Sequence, residues 1–269
     1  MYRVGLPRYA NVAPLARYLG GEGLSLVRAV PTELNRALLA GELELSLVSS
    51  VFFLQHQEEL DLLPDFSVAV LGRVYSVNLF SRVPLAELER VALTTESATS
   101  VALLRLLLEE RGVRPEYRRE SGGLELLERY QGVLLIGDRA VQAYASLLSG
   151  LPEGVHRLPQ SFRGIHVHDL AELWYRRTRL PFVFAVWAHR RGEPPPREVV
   201  RSLRAARYQG LGRLAEVAGE EARRLGVHPV LMQHYLWNFR YHLEEPDRDG
   251  LNEFARSLGL DRVSFSDSR

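Results

Sequence analysis

Along the N-terminal stretch, short apolar runs alternate with segments whose apolar residues recur every three or four positions. Residues 2–6, 24–30 and 43–48 read as strands, and 12–19, 33–39 and 51–57 as helices. This βαβαβ order predicts a parallel sheet covered by helices, with ligands at the carboxyl ends of its strands. Two adjoining extended runs follow at 66–71 and 74–81, closed by Pro84. The alternation then resumes with strands at 90–93, 115–118 and 132–136 and helices at 99–111, 123–130 and 139–145. Residues 167–177 read as an amphipathic helix, capped by His168 or Asp169, and 182–188 as a strand too apolar for a sheet edge. The remainder is helical at 197–214, 220–225, 229–241 and 251–258, punctuated by Pro195, Pro196, Gly226 and Gly259. Two α/β units in series with a helical tail predict a two-lobed α/β fold on two mainly parallel sheets. Segments 74–81 and 182–188 are expected to form a two-segment hinge, with lobe one at 1–82 plus 187–269 and lobe two at 83–186. Clefts between such lobes take small ligands and close on them by hinge motion.

In a parallel lobe the polar residues just after strands face the cleft. Residues 94–100 read Thr-Thr-Glu-Ser-Ala-Thr-Ser, five hydroxyls where a strand gives way to a helix. Ser97, Thr99 and Ser100 are therefore candidate anion ligands, since the first helical turn adds unpaired N–H groups and the positive end of its dipole. Ordinary N-capping accounts for the same composition. Asn11, ahead of Pro14, and Ser49 with Ser50, after an apolar run, carry the same two readings. Period two places Ser76 and Asn78 on one face of a crossing segment, either the cleft wall or a solvated surface. Asp138 follows the strand at 132–136 and either caps a helix or acts on a ligand hydroxyl. His166 and His168 are too sparsely accompanied to hold a metal. His189, at the end of a crossing strand, is a better cleft candidate than these two, with a structural role as its other reading, while His228, His234 and His242 are assigned to packing or solvent. Arg8, Arg73 and Arg139 are either ligand contacts or surface cations.

Composition narrows the chemistry. The 34 Lys and Arg residues are all Arg, and there is no Cys. That closes Schiff-base and covalent pyridoxal phosphate chemistry, the P-loop lysine, thiol nucleophiles, cysteine-held metals and disulfides. A net charge of +1, with Arg interspersed among Asp and Glu, leaves no footprint for nucleic acid. No apolar run reaches the roughly 18 residues of a membrane span. Residues 1–6 enter a first strand at once, without a leader pattern. A cytoplasmic protein with a small-molecule ligand and no nucleic-acid, metal or membrane partner is expected. Oligomeric state stays open.

Six pieces, in order, resemble the chorismate dehydratases of the futalosine route to menaquinone. They are Tyr9-x-Asn11-x-x-Pro14, Leu47-Val48-Ser49-Ser50, Ser76-Val77-x-Leu79-x-Ser81, Leu93-Thr94-x-x-Ser97-x-Thr99-Ser100, Leu134-Leu135-Ile136-Gly137-Asp138-x-Ala140, and Asp169-Leu170-x-x-x-Trp174 with Leu180-Pro181-Phe182-Val183-Phe184-Ala185. The match runs on to Gly250-Leu251-x-x-Phe254 in the tail. The resemblance implies a fold like that of type 2 periplasmic binding proteins and a cofactor-free lyase. That lyase removes water from the dicarboxylate chorismate to give 3-[(1-carboxyvinyl)oxy]benzoate. It also implies that Asn11 and Ser76 are catalytic and that the substrate's own enolpyruvyl carboxylate is the base. Ser49, Ser50, Ser97, Thr99 and Ser100 are then expected to bind carboxylates, with Asp138 near the leaving hydroxyl. Two alternatives share the scaffold. One is the sister enzyme 1,4-dihydroxy-6-naphthoate synthase, whose first loop resembles Ser-Pro-x-Pro-Asn-Asp, unlike Pro7-Arg8-Tyr9-Ala10-Asn11 here. The other is a noncatalytic binding or sensor protein for a small carboxylate.

Overall fold

A computed structural model describes residues 1–149, 159 and 161–265. Among them, strands form two six-stranded sheets. The first contains β1 (Tyr2–Pro7), β2 (Leu24–Ala29), β3 (Leu45–Ser49) and β4 (Leu60–Val70). The second contains β5 (Val77–Ser81), β6 (Arg90–Leu93), β7 (Glu116–Arg119), β8 (Gly132–Ile136), β9 (Ser161–Phe162) and β10 (Ile165–Asp169). The chain then returns to the first sheet with β11 (Phe182–Arg190) and β12 (Phe239–Arg240). Strand orders are β12-β4-β11-β3-β1-β2 and β7-β6-β8-β5-β10-β9. Helices α1 (Ala13–Ala16), α2 (Pro31–Leu39), α3 (Ser50–Gln55), α4 (Ala98–Glu109), α5 (Gly137–Leu148) and α6 (Leu170–Thr178) connect them. The tail is α7 (Arg197–Gly212), α8 (Leu214–Leu225), α9 (Pro229–Trp237) and α10 (Glu245–Ser257).

The parallel expectation holds for half of each sheet. β1 runs parallel to β2 and β3, and β6 to β7 and β8. The other pairings are antiparallel: β5 and β11, which arrive from the opposite sheet, run against the strands beside them. Neither segment crosses within itself. β5 pairs with β8 and β10 in the second sheet, and β11 with β3 and β4 in the first. The chain therefore changes sheets before residue 77 and again between 169 and 182, not at 82 and 186. Residues 167–169, read as the start of a helix, belong to the strand β10, and Asp169 caps α6 by accepting the Glu172 N–H at 3.0 Å. β4 also begins six residues earlier than expected. Pro64, with Asp65 at φ 69°, bulges it between Leu62 and Ser67, so that the pattern looks broken although the pairing with β11 continues. Residues 239–240, expected to be helical, form β12.

The passage into the second sheet is a tight turn. Tyr75 has φ 59°, and the Ser76 N–H donates to the Val74 carbonyl at 2.7 Å. Such a conformation is strained for a non-glycine residue and persists only when its surroundings fix it. The buried Asp169 supplies that restraint. Its Oδ2 accepts the N–H groups of Val74 at 2.9 Å and Tyr75 at 2.8 Å, while Asn78 Nδ2 donates to the Tyr75 carbonyl at 2.5 Å. Arg73 and Glu172, paired at 2.5 Å, flank the carboxylate.

The core continues from the first sheet through the second and into the tail helices. Pieces far apart in sequence meet at one junction: Trp174 lies edge-to-face on Phe182 and Phe254, at centroid distances of 5.3 and 5.9 Å, and its Nε1–H donates to the Pro181 carbonyl. The backbone of α10 comes so close that a Cβ on Gly250 would stand 2.1 Å from the Pro181 oxygen.

Gly250→Ala forces that backbone contact apart and is expected to destabilise the fold by about 1–3 kcal/mol, read as a lower urea midpoint; an unchanged midpoint contradicts the junction. A second test concerns Asp169. Burial pushes its carboxyl from 3.8 up to about 6, against the opposing pull of its N–H donors and Arg73. The folded state thus holds the proton more tightly, so this group's contribution to stability grows as pH falls through 6 towards 4 and is absent above neutrality. The stability of wild type relative to Asp169→Asn is therefore expected to rise from pH 7 to pH 4, whereas parallel profiles contradict the assignment.

Candidate active site

The carboxyl ends of the parallel strands and the starts of β5, β11 and β12 border one hollow between the sheets, with a cavity volume of about 70 Å³. The first sheet and its loops contribute Tyr9, Asn11, Ser49, Val68, Phe184 and Phe239 to its wall. The second contributes Ser76, Val77, Ser97, Ser100, Ile136 and Gly137. The described lining residues include no Asp, Glu, His or Arg.

The sequence candidates divide by where their hydroxyls turn. Ser97 caps α4, its Oγ accepting the Ser100 N–H at 3.1 Å and donating to Ser100 Oγ at 3.0 Å. Capping and site-lining are therefore both true of this pair. Ser49 forms no cap. It is held from behind by Asn35, whose Nδ2 donates to Ser49 Oγ at 3.1 Å and whose Oδ1 accepts the Ser49 N–H at 3.3 Å. In both Ser49 and Ser100 a protein donor already occupies the oxygen, so the hydroxyl hydrogen is what remains to offer. Such a group meets an acceptor-only ligand such as a carboxylate.

Asn11 caps neither the short turn at Ala10–Val12 nor α1. Its Oδ1 is enclosed without a partner, although its backbone carbonyl accepts a 2.7 Å hydrogen bond from Tyr241 Oη. Ser76 reaches the wall from the strained turn described above.

Ser50, Thr99 and Asp138 are absent from the lining, contrary to expectation. Ser50 Oγ donates to the Val183 carbonyl at 2.6 Å and fixes α3 on β11. Thr99 Oγ1 accepts the Val51 N–H at 3.0 Å, joining α4 of one sheet to α3 of the other. Asp138 accepts the Ala10 N–H at 2.8 Å and pairs with Arg224 at 2.7 Å. All three hydroxyl or carboxyl groups are spent on holding the fold.

Sequence reasoning missed Tyr9, although it stands two residues before Asn11. Its Oη donates to Glu96 Oε2 at 2.8 Å across the sheets. Burial and that carboxylate push its phenol well above the usual range, so it stays protonated. Its ring presses on Gly137, where a Cβ would lie 2.7 Å from Cδ1, and φ 57° there favours glycine as well. The remaining candidates stand apart. His189 Nδ1 contacts the Arg190 carbonyl, His228 caps α9, and burial lowers His168 to about 4 and leaves it neutral. Arg8, Arg73 and Arg139 bind the Arg28 carbonyl, Glu172 and the Gly122 carbonyl respectively. No cluster of three or more metal-ligating side chains occurs among the described residues.

Solved structures share the architecture. A protein of Archaeoglobus fulgidus matches with a TM-score of 0.69 at 18% identity, covering 96% of this chain and 97% of that one. The periplasmic aliphatic sulphonate binding protein of Escherichia coli matches with a TM-score of 0.62 at 14% identity, covering 96% of this chain and 86% of that one. These likenesses establish a periplasmic-binding-protein-like fold. In sequence, the chain is 68% identical over 259 residues to a Thermus thermophilus protein named chorismate dehydratase, covering 96% of each. Residues 2–259 match the family described as menaquinone biosynthesis, and the chain belongs to that family.

Proposed function

We propose that the chain is a cytoplasmic chorismate dehydratase that eliminates water from chorismate to give 3-[(1-carboxyvinyl)oxy]benzoate. The reading rests on one observation: the hollow between the sheets presents Asn11, Ser49, Ser76 and Ser100, all neutral hydrogen-bond donors, in a chain 68% identical to a protein of that name.

The chemistry asks for little more. Loss of the C3 hydrogen and the C4 hydroxyl aromatises the ring, so the reaction supplies its own driving force. The protein must hold a dianion, orient it and ease the departure of hydroxide. Hydrogen bonds to a charged acceptor contribute about 1.5–3 kcal/mol each, whereas a helix dipole contributes about 0.3–1 kcal/mol. The Ser49 and Ser100 hydroxyls therefore outweigh the start of α4 in fixing the carboxylates. Asn11 and Ser76 approach from opposite sheets and are assigned the reacting edge of the ring. Ser76 donates to the leaving hydroxyl, and Asn11 orients the substrate through its amide. With no carboxylate or imidazole among the described lining residues, the substrate's enolpyruvyl carboxylate is the fitting base for the C3 proton. Water elimination then proceeds within the bound molecule.

Purified protein incubated with chorismate is expected to form the aromatised enol ether. Asn11→Ala and Ser76→Ala are expected to lower kcat at least a hundredfold with little change in thermal midpoint. Thr99→Val is expected to behave oppositely, retaining kcat but losing about 1–3 kcal/mol of stability because the Val51 N–H is left unpaired. Tight chorismate binding without product contradicts the dehydratase reading, and full turnover in both alanine variants contradicts the site.

A further inference from the structure

Tyr235, on α9, is fully buried, and its Oη is enclosed without a hydrogen-bond partner. A hydroxyl in that state lowers stability, and phenylalanine would keep the ring's edge-to-face contact with Phe239 at 5.2 Å without that burden. Phe239, on which the ring packs, lines the hollow together with Ser76, and Ser76 stands close enough to act on the Tyr235 phenol. The tail's other buried tyrosine, Tyr241, donates to the carbonyl of Asn11. Two tyrosines of the tail, Tyr235 on α9 and Tyr241 just after β12, thus stand behind the two residues assigned to the reaction.

We propose that Tyr235 is a positioning residue that donates its Oη hydrogen to Ser76 Oγ when substrate is bound, so that the Ser76 hydroxyl hydrogen is aimed into the hollow. This deepens the reading of Ser76 given above and rests on it. A serine hydroxyl carries one hydrogen and two lone pairs and rotates freely. A donor fixed behind the oxygen occupies a lone pair and leaves the hydrogen one useful direction. Ser49, with Asn35 behind it, and Ser100, with Ser97 behind it, are built the same way. As Ser76 gives up hydrogen-bond density to the departing hydroxide, its oxygen becomes a better acceptor, so the Tyr235 hydrogen bond strengthens as the reaction proceeds. Burial raises the Tyr235 phenol well above its ordinary range, which keeps it a donor at all working pH values.

The test is a cycle of Tyr235→Phe, Ser76→Ala and the double variant, read as single-turnover rates with enzyme in excess, together with KM and thermal midpoint. Tyr235→Phe is expected to lower kcat about tenfold, to leave KM within twofold, and to keep or raise the thermal midpoint. In the Ser76→Ala background it is expected to change the residual rate no further. An unchanged kcat in Tyr235→Phe overturns the proposal, as does an equal loss in the two backgrounds. A fall in kcat that follows a fall in thermal midpoint also overturns it, because that is the mark of a purely structural residue. If Ser76→Ala itself turns over normally, the reading of Ser76 has failed, which is distinguishable from failure of Tyr235 alone.

Discussion

The site exists because the tips of two sheets are held against each other. Three hydrogen bonds do this: Tyr9 to Glu96, the Ala10 N–H to Asp138, and the Val51 N–H to Thr99. Each joins a loop or helix start of the first sheet to the start of a helix in the second. None of the three acceptors, Glu96, Asp138 and Thr99, lines the hollow. Apart from Tyr9, which both lines the hollow and donates to Glu96, the side chains that close the cleft are separate from those that line it. A carboxylate substrate is spared the repulsion of Glu96 and Asp138, because one is turned to the Tyr9 hydroxyl and the other to a backbone N–H and Arg224.

Binding a dianion without a cation in the wall is physically reasonable here. Arginine would bind carboxylates more strongly in isolation, but it would also stabilise the starting dianion as well as the transition state. Neutral hydroxyls whose oxygens are already occupied offer direction at low cost. On the proposed assignment of Ser49 and Ser100 to the carboxylates, selectivity comes from their one-sidedness, since a ligand presenting donors there would leave those hydroxyls unmatched. The strained turn at Tyr75, fixed by Asp169, immediately precedes Ser76. Strain of this kind is retained where placement of a side chain matters.

Much of this was legible in the sequence, and the rest was hidden for identifiable reasons. Alternating runs located most strands within a residue or two, because buried strands of an α/β fold are continuously apolar. The start of β4 was hidden by Pro64 and Asp65, which bulge a strand that the pairing nonetheless carries through. β10 was hidden because Ile165-His166-Val167-His168-Asp169 merges with the amphipathic period of the next helix. At the site, composition located the right loops but not the right hydroxyls. Ser49 and Ser50 are neighbours on a strand end, yet one faces the hollow and the other the Val183 carbonyl. Thr99 differs from Ser100 by one helical step of about 100°, enough to send it to the opposite sheet. Tyr9, Tyr235 and Tyr241 escaped notice because their partners lie far along the chain, where no spacing rule reaches.

The central claim is that a dianionic ring sits in the hollow between the sheets on uncharged donors. The most direct measurement is a crystal structure of the Ser76→Ala variant with chorismate bound. One carboxylate is expected within hydrogen-bond distance of the Ser49 or Ser100 hydroxyl, and the ring beside Asn11. Chorismate seated instead in the surface groove of Arg191, Arg248 and Arg262, with the hollow empty, would contradict it.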